Sequence, residues 1–217
     1  MKKFLFSILS IFVFAVQAFS CSSDNDNPGE PEITLKGGKV LIAYFSFLET
    51  DGVDASSGAS RVVVDEKLYG STQYIAEVIS EVTGGDLFRI ETVRQYPGLH
   101  APLVEQASQE KAAGTRPELA TKIENLSQYD IIFIGYPNWW GDLPMPLYTF
   151  LEEYDFGGKT IIPFNSHGGS GLSSTVNTII NIQKGATVVK ALTVSRNSVG
   201  SSRNEILAWL KDIGFEV

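Results

Sequence analysis

Three short stretches of this chain carry residue types that can hold or transform a ligand. The first is split: Ser46, then Gly70-Ser71-Thr72 after an intervening segment. The second is Tyr136-Pro137-Asn138-Trp139-Trp140-Gly141, and the third runs Asn165-Ser166-His167-Gly168-Gly169-Ser170-Gly171. Hydroxyls together with backbone N–H groups at a helix start can hold a phosphate dianion without a cation. Ser71 has a plain alternative as a helix N-cap. Two adjacent tryptophans at a point where the chain should turn are costly to expose, so they pack against a core, an interface or a flat ring. Only one of the pair can readily face a crevice. Trp140 is the expected stacking partner, with Trp139 packing behind or flanking it, while Pro137 and Gly141 shape the turn. Gly168 and Gly169 let backbone come close to a ligand. His167, one of two histidines, can hydrogen-bond a polar ring edge or donate a proton, or it is an ordinary loop histidine. The three stretches together suit a phosphate attached to a flat ring.

The elements that must position them are legible as apolar runs. Residues 40–45 (VLIAYF), 131–134 (IIFI), 161–164 (IIPF) and, more weakly, 186–189 (ATVV) are of strand length. Their continuous apolarity predicts strands covered on both faces. Residues 87–91 partly alternate, as an edge strand does. Helical stripes fall between the runs: Ile75, Val78, Ile79 and Val82; Leu147, Phe150, Leu151 and Tyr154; Ile206, Leu207, Leu210 and Ile213. Gly84-Gly85 and Gly157-Gly158 punctuate the pattern as stops and turns. About five alternating units predict an α/β domain, a doubly wound parallel sheet with helices on both faces. In such a sheet all three stretches lie at the carboxyl edge, where ligands bind at the reversal of strand order. Pro163 resists the scheme, because its missing N–H costs a ladder bond inside a strand. Either pairing ends there or a bulge accommodates it.

The 217 residues suit one ordinary domain after a leader is removed. Met1-Lys2-Lys3, an apolar stretch over 4–16 and the small residues before Cys21 form the three parts of an export signal. Residues 1–20 are therefore expected to be cleaved. Cys21, the only cysteine, stands where a bacterial lipoprotein carries its lipid, although Phe19 is bulkier than that pattern usually shows. Residues 21–36 are polar and breaker-rich and read as a flexible linker, leaving 37–217 as the domain. The expected location is the cell envelope, lipid-anchored or periplasmic, with the membrane contacted through the anchor only. Net charge is −8 for the chain. No Lys/Arg-rich stretch appears, which argues against a nucleic-acid partner, and no metal is expected.

The stretches Ala43-Tyr44-Phe45-Ser46, Gly70-Ser71-Thr72, Gly84-Gly85-Asp86-Leu87-Phe88, Gly135 to Gly141 and Pro163-Phe164 through Gly171 resemble the flavodoxin-like family over residues 39–215. The resemblance implies a three-layer, five-stranded parallel sheet of order 2-1-3-4-5 binding one FMN non-covalently. By position, Ser46, Ser71 and Thr72 would hold the phosphate, with Gly70 making the turn. Pro137, Asn138, Trp139, Trp140 and Gly141 would flank the isoalloxazine, and Ser166, His167, Gly168 and Gly169 would line its other side. The chain departs from the family's compact pattern by an insertion, 47–69, that splits the phosphate loop; it should leave and return.

The implied activity is electron transfer through FMN to a redox partner or small acceptor. An acidic domain with no cation near the ring is expected to lower the potential and to favour a basic partner. The alternative in another class is a flavodoxin-fold binding module without redox catalysis. A hydrolase is disfavoured: His167-Gly168-Gly169-Ser170 is superficially similar to an oxyanion loop, but Leu172 breaks the G-x-S-x-G elbow.

Overall fold

The structure is a computed structural model that describes residues 37–50 and 60–217. The leader, Cys21 and the linker lie outside the described residues. In chain order the elements are β1 (Val40–Tyr44), a hairpin of β2 (Arg61–Val64) and β3 (Lys67–Gly70), α1 (Ser71–Thr83), β4 (Asp86–Arg89), α2 (His100–Ala113), β5 (Ile131–Pro137) and α3 (Met145–Glu153). They continue with β6 (Thr160–His167), α4 (Thr175–Ile182), β7 (Thr187–Val188), β8 (Leu192–Ser195) and α5 (Arg203–Asp212).

The main sheet runs β4-β1-β5-β6, with β7 and β8 both against β6, and every pairing in it is parallel. Numbered by strand along the chain this is the order 2-1-3-4-5, with the fifth strand in two pieces. Alternate residues of the central strands feed two cores. Ile42, Phe133, Ile162 and Phe164 meet Ile75 and Ile79 of α1 and Ile206 and Leu210 of α5. Leu41, Ala43, Ile132, Ile134 and Ile161 meet Leu103 of α2, Leu147, Phe150 and Leu151 of α3, and Ile179 of α4. Strands buried on both faces have no solvent side, which is why they read as unbroken apolar runs. The partly alternating segment is β4, at the sheet's edge, as expected.

Pro163 has a direct explanation. Along β6, Thr160 N–H bonds toward β5 through Asp130 O (2.9 Å), whereas Ile161 O receives Val189 N–H (3.0 Å) from the other side. Backbone polar groups alternate in direction along a parallel strand, so Pro163 faces the fifth strand. There β7 has ended at Val188 and β8 has not begun until Leu192. The missing donor therefore falls opposite a gap, and pairing ends where the proline requires it.

Candidate functional site

The three stretches converge at the carboxyl edge of β1, β5 and β6, around a single crevice. Of the thirteen residues expected there, Ser46, Thr72, Pro137, Asn138, Trp139, Ser166, His167 and Gly168 line it directly. Gly70, Ser71, Trp140, Gly141 and Gly169 stand outside that lining, as supports or neighbours.

At the start of α1 the N-cap is Gly70, and Ser71 is the first helical residue. The capping role open to Ser71 in the sequence is thus not the one it plays. Its hydroxyl is buried, the residue 1% exposed, and has no hydrogen-bond partner among the described residues. A methyl group on Gly70 would lie 2.1 Å from Ser46 Oγ, so only glycine allows the returning chain to close on Ser46. The insertion does return: β2 and β3 pair so that Arg61 stands opposite Gly70, and Ser71 N–H donates to Ser60 O at 2.9 Å. Thr72 Oγ1 and Ser166 Oγ, both buried, share a hydrogen bond at 3.0 Å that joins the first stretch to the third.

The second and third stretches are latched through one carbonyl. Asn138 Nδ2 and Asn165 Nδ2 both donate to Gly171 O, at 2.8 and 2.9 Å, and Asn138 N–H donates to Ser166 O at 2.8 Å. The Oδ1 atoms of both asparagines remain buried without a partner. Tyr136 Oη donates to Thr175 Oγ1 (2.8 Å), which in turn donates to Leu172 O (2.5 Å), tying the second stretch to the start of α4. Burial pushes the Tyr136 phenol up to about 12, so it stays a neutral donor.

The structure brings Trp139, and not Trp140, to the lining of the crevice. Trp139 and Asp142 exchange two backbone hydrogen bonds at 3.1 Å, closing a two-residue turn with Trp140 (φ 55°) and Gly141 (φ 71°) at its tip. Two successive positive φ values are the signature of a tight, mirror-image turn. It directs the two rings differently. Trp139 lines the crevice, edge-on to Phe45 and Tyr96 with ring centroids 5.4 Å away in each case. Trp140 is 56% exposed, and its Nε1–H donates to Val104 O on α2 at 3.2 Å. Lys111 Nζ fixes the same turn by donating to Trp140 O at 2.7 Å.

His167 accepts the Gly169 N–H on Nδ1 at 2.9 Å, with Gly169 at φ 136°, a backbone shape other residues rarely adopt. Burial lowers the His167 pKa below its ordinary 6.5. The ring is therefore neutral near pH 7, and with Nδ1 accepting, its proton sits on Nε2. No arginine or lysine is among the described residues lining the crevice, but three arginines lie close to it. Arg61 Nη1 donates to Glu49 O (2.9 Å) and Arg89 Nη2 to Ser46 O (3.3 Å). A methyl group built on Gly168 would lie 3.9 Å from Arg196 Nη1. These arginines come from elements far apart in sequence, so no basic stretch announces them.

Sequence reasoning also missed Phe47, Glu49, Ser60 and Leu103 in the lining. The first three belong to the insertion or its border. The one available signal was that a segment splitting a binding loop must leave and re-enter beside the ligand.

The sequence profile of the flavodoxin family matches residues 61–213. Among solved structures, a candidate flavoprotein from Bacteroides uniformis ATCC 8492 is 30% identical, with 81% of this chain and 99% of that one covered and a TM-score of 0.59. A candidate flavoprotein from Bacteroides eggerthii DSM 20697 is 26% identical, covering 83% and 100%, with a TM-score of 0.61. A flavoprotein in complex with FMN from Lactobacillus acidophilus NCFM shares the fold at 19% identity, covering 79% and 99%, with a TM-score of 0.53. No curated protein sequence matches the chain. On the matched profile and the 30% relative, and with the sheet order and loop placement above, the chain belongs to the flavodoxin family.

Proposed function

We propose that the protein binds one FMN non-covalently in this crevice and passes electrons through it at the cell envelope. The observation that carries the reading is the meeting of the buried hydroxyl residues Ser46 and Thr72 with Trp139 on a single crevice. The partnerless Ser71 Oγ fits a phosphate acceptor, and the orphaned Oδ1 atoms of Asn138 and Asn165 fit donors on a polar ring or sugar. The Lactobacillus acidophilus relative, which shares the fold, holds FMN.

Bound flavin would supply the redox chemistry, and the protein its orientation and electrostatics. Ser46, Ser71 and Thr72 hold the phosphate. Trp139 covers a ring face, and the neutral His167 offers its Nε2 proton to the polar ring edge. The export leader and Cys21 support a lipid-anchored envelope protein. Palmitate labelling that persists in a Cys21→Ser chain would overturn the anchor.

Purified protein titrated with FMN should quench flavin fluorescence at one equivalent and show the visible flavin bands. Those bands should bleach with a chemical reductant and return on reoxidation. Protein that stays colourless with excess FMN would overturn the cofactor. Bound flavin that cannot be cycled would leave a binding module instead of an electron carrier.

A further inference from the structure

Glu49 sits in the wall of the crevice and is only 5% exposed. Its backbone is fixed at both polar groups: N–H donates to Ser60 Oγ at 3.1 Å and C=O accepts from Arg61 Nη1 at 2.9 Å. Next to it, Thr50 N–H donates to Gly98 O at 2.7 Å, pinning this strand of chain to the approach to α2. The side chain is fixed as well, with Oε1 at 2.7 Å from His100 Nδ1. Its other oxygen, Oε2, is buried and has no partner among the described residues.

A buried carboxylate oxygen without a donor is expensive, and natural proteins rarely leave one unless a ligand or water completes it. Every contact here holds the group still, so the acceptor is organised before any ligand arrives. The ligand group that completes it must be a donor. It cannot be a phosphate, which the carboxylate repels, and the hydroxyl pocket of Ser46 and Thr72 lies nearby for that charge. It is not the apolar part of a ring either, for which Trp139 and Leu103 provide the surface. Between the phosphate and the ring of FMN lies a chain of neutral hydroxyls.

We propose that Glu49, delivered by the insertion and held by His100 and Ser60, is a cofactor-specificity residue that accepts a hydrogen bond from a ribityl hydroxyl through Oε2. The proposal rests on the FMN reading of the site. It gives the insertion a role: the segment that interrupts the phosphate loop supplies the sugar contact.

Three flavins separate the possibilities: FMN, riboflavin, which lacks the phosphate, and lumiflavin, which also lacks the ribityl chain. Fluorescence titration of Glu49→Ala should show FMN and riboflavin each weakened about tenfold, as loss of one charge-assisted hydrogen bond implies, with lumiflavin unchanged. Glu49→Gln, which keeps an acceptor and the side-chain volume, should recover part of that loss and guards against misfolding of the alanine variant. Equal weakening of all three flavins would overturn the proposal in favour of a purely structural role. Unchanged FMN binding would overturn it too, and so would tighter binding, which would show the carboxylate acting through repulsion of the phosphate. Native protein that binds none of the three would instead overturn the FMN reading itself, and this inference with it.

Discussion

The middle of the sheet and its carboxyl rim are equally buried and chemically opposite. Ile42, Ile132, Phe133 and Ile162 in the middle are 0% exposed, while Ser71, Thr72, Asn165 and Ser166 at the rim are at most 1% exposed. In the middle, removal from water is the driving force of folding. At the rim the same removal costs free energy unless each polar atom finds a partner, and Ser71 Oγ, Asn138 Oδ1 and Asn165 Oδ1 find none among the described residues. Stability has been given up at one end of the strands. Unpaired polar groups concentrated at one edge of an otherwise consistent fold mark a place shaped for something besides folding.

That contrast can be broken at either end. The largest expected effect is on the middle: Phe133→Ala should destabilise the protein by about 3–5 kcal/mol in urea unfolding, since a large buried ring leaves a cavity that rigid strands cannot refill. A loss below about 1 kcal/mol would show that the middle is not the stabilising region. At the rim, Ser71→Ala should do the reverse. Stability without flavin should rise, by about 1 kcal/mol, because the buried hydroxyl has no partner to lose and its desolvation cost is relieved. FMN affinity should fall about tenfold. A destabilised variant with unchanged FMN affinity would place Ser71 among the structural residues and dissolve the distinction.

The smallest effect is the pH dependence of His167. Its folded pKa lies below the ordinary 6.5 because burial disfavours the imidazolium. The unfolded chain therefore takes up the proton more readily. The contribution is intact above pH 6.5 and is lost as acid brings the solution down through the folded value. Thermal melts of the native protein and of His167→Gln, compared across that range, should converge toward low pH. Parallel curves would mean the ring's burial has no energetic consequence.

Much of this division was legible in the residues, and what was hidden had physical reasons. The runs at 40–45, 131–134 and 161–164 announced their strands because both faces are covered. The stripe of Ile75, Val78 and Ile79 announced α1 because one face of that helix meets a core. By contrast α2 buries only Leu103 and Ala107, too little for a stripe, and β8 is four residues long. Which tryptophan faces the crevice depends on the positive φ of Trp140, and residue type gives no hint of a left-handed tryptophan. Glu49 and the three arginines reach the rim through tertiary packing, so no local spacing reveals them. Pro163 was the anomaly that pointed correctly to a real interruption of pairing.

The two-piece outer strand has one more consequence. An unpaired sheet margin invites a neighbouring molecule to add its own strand, and short or broken edges are how natural proteins discourage it. Here the margin offers two residues in β7, a gap, and four in β8. An incoming peptide would lose its register partway along. A single proline in the adjacent strand thus goes together with an edge ill-suited to nucleating aggregates.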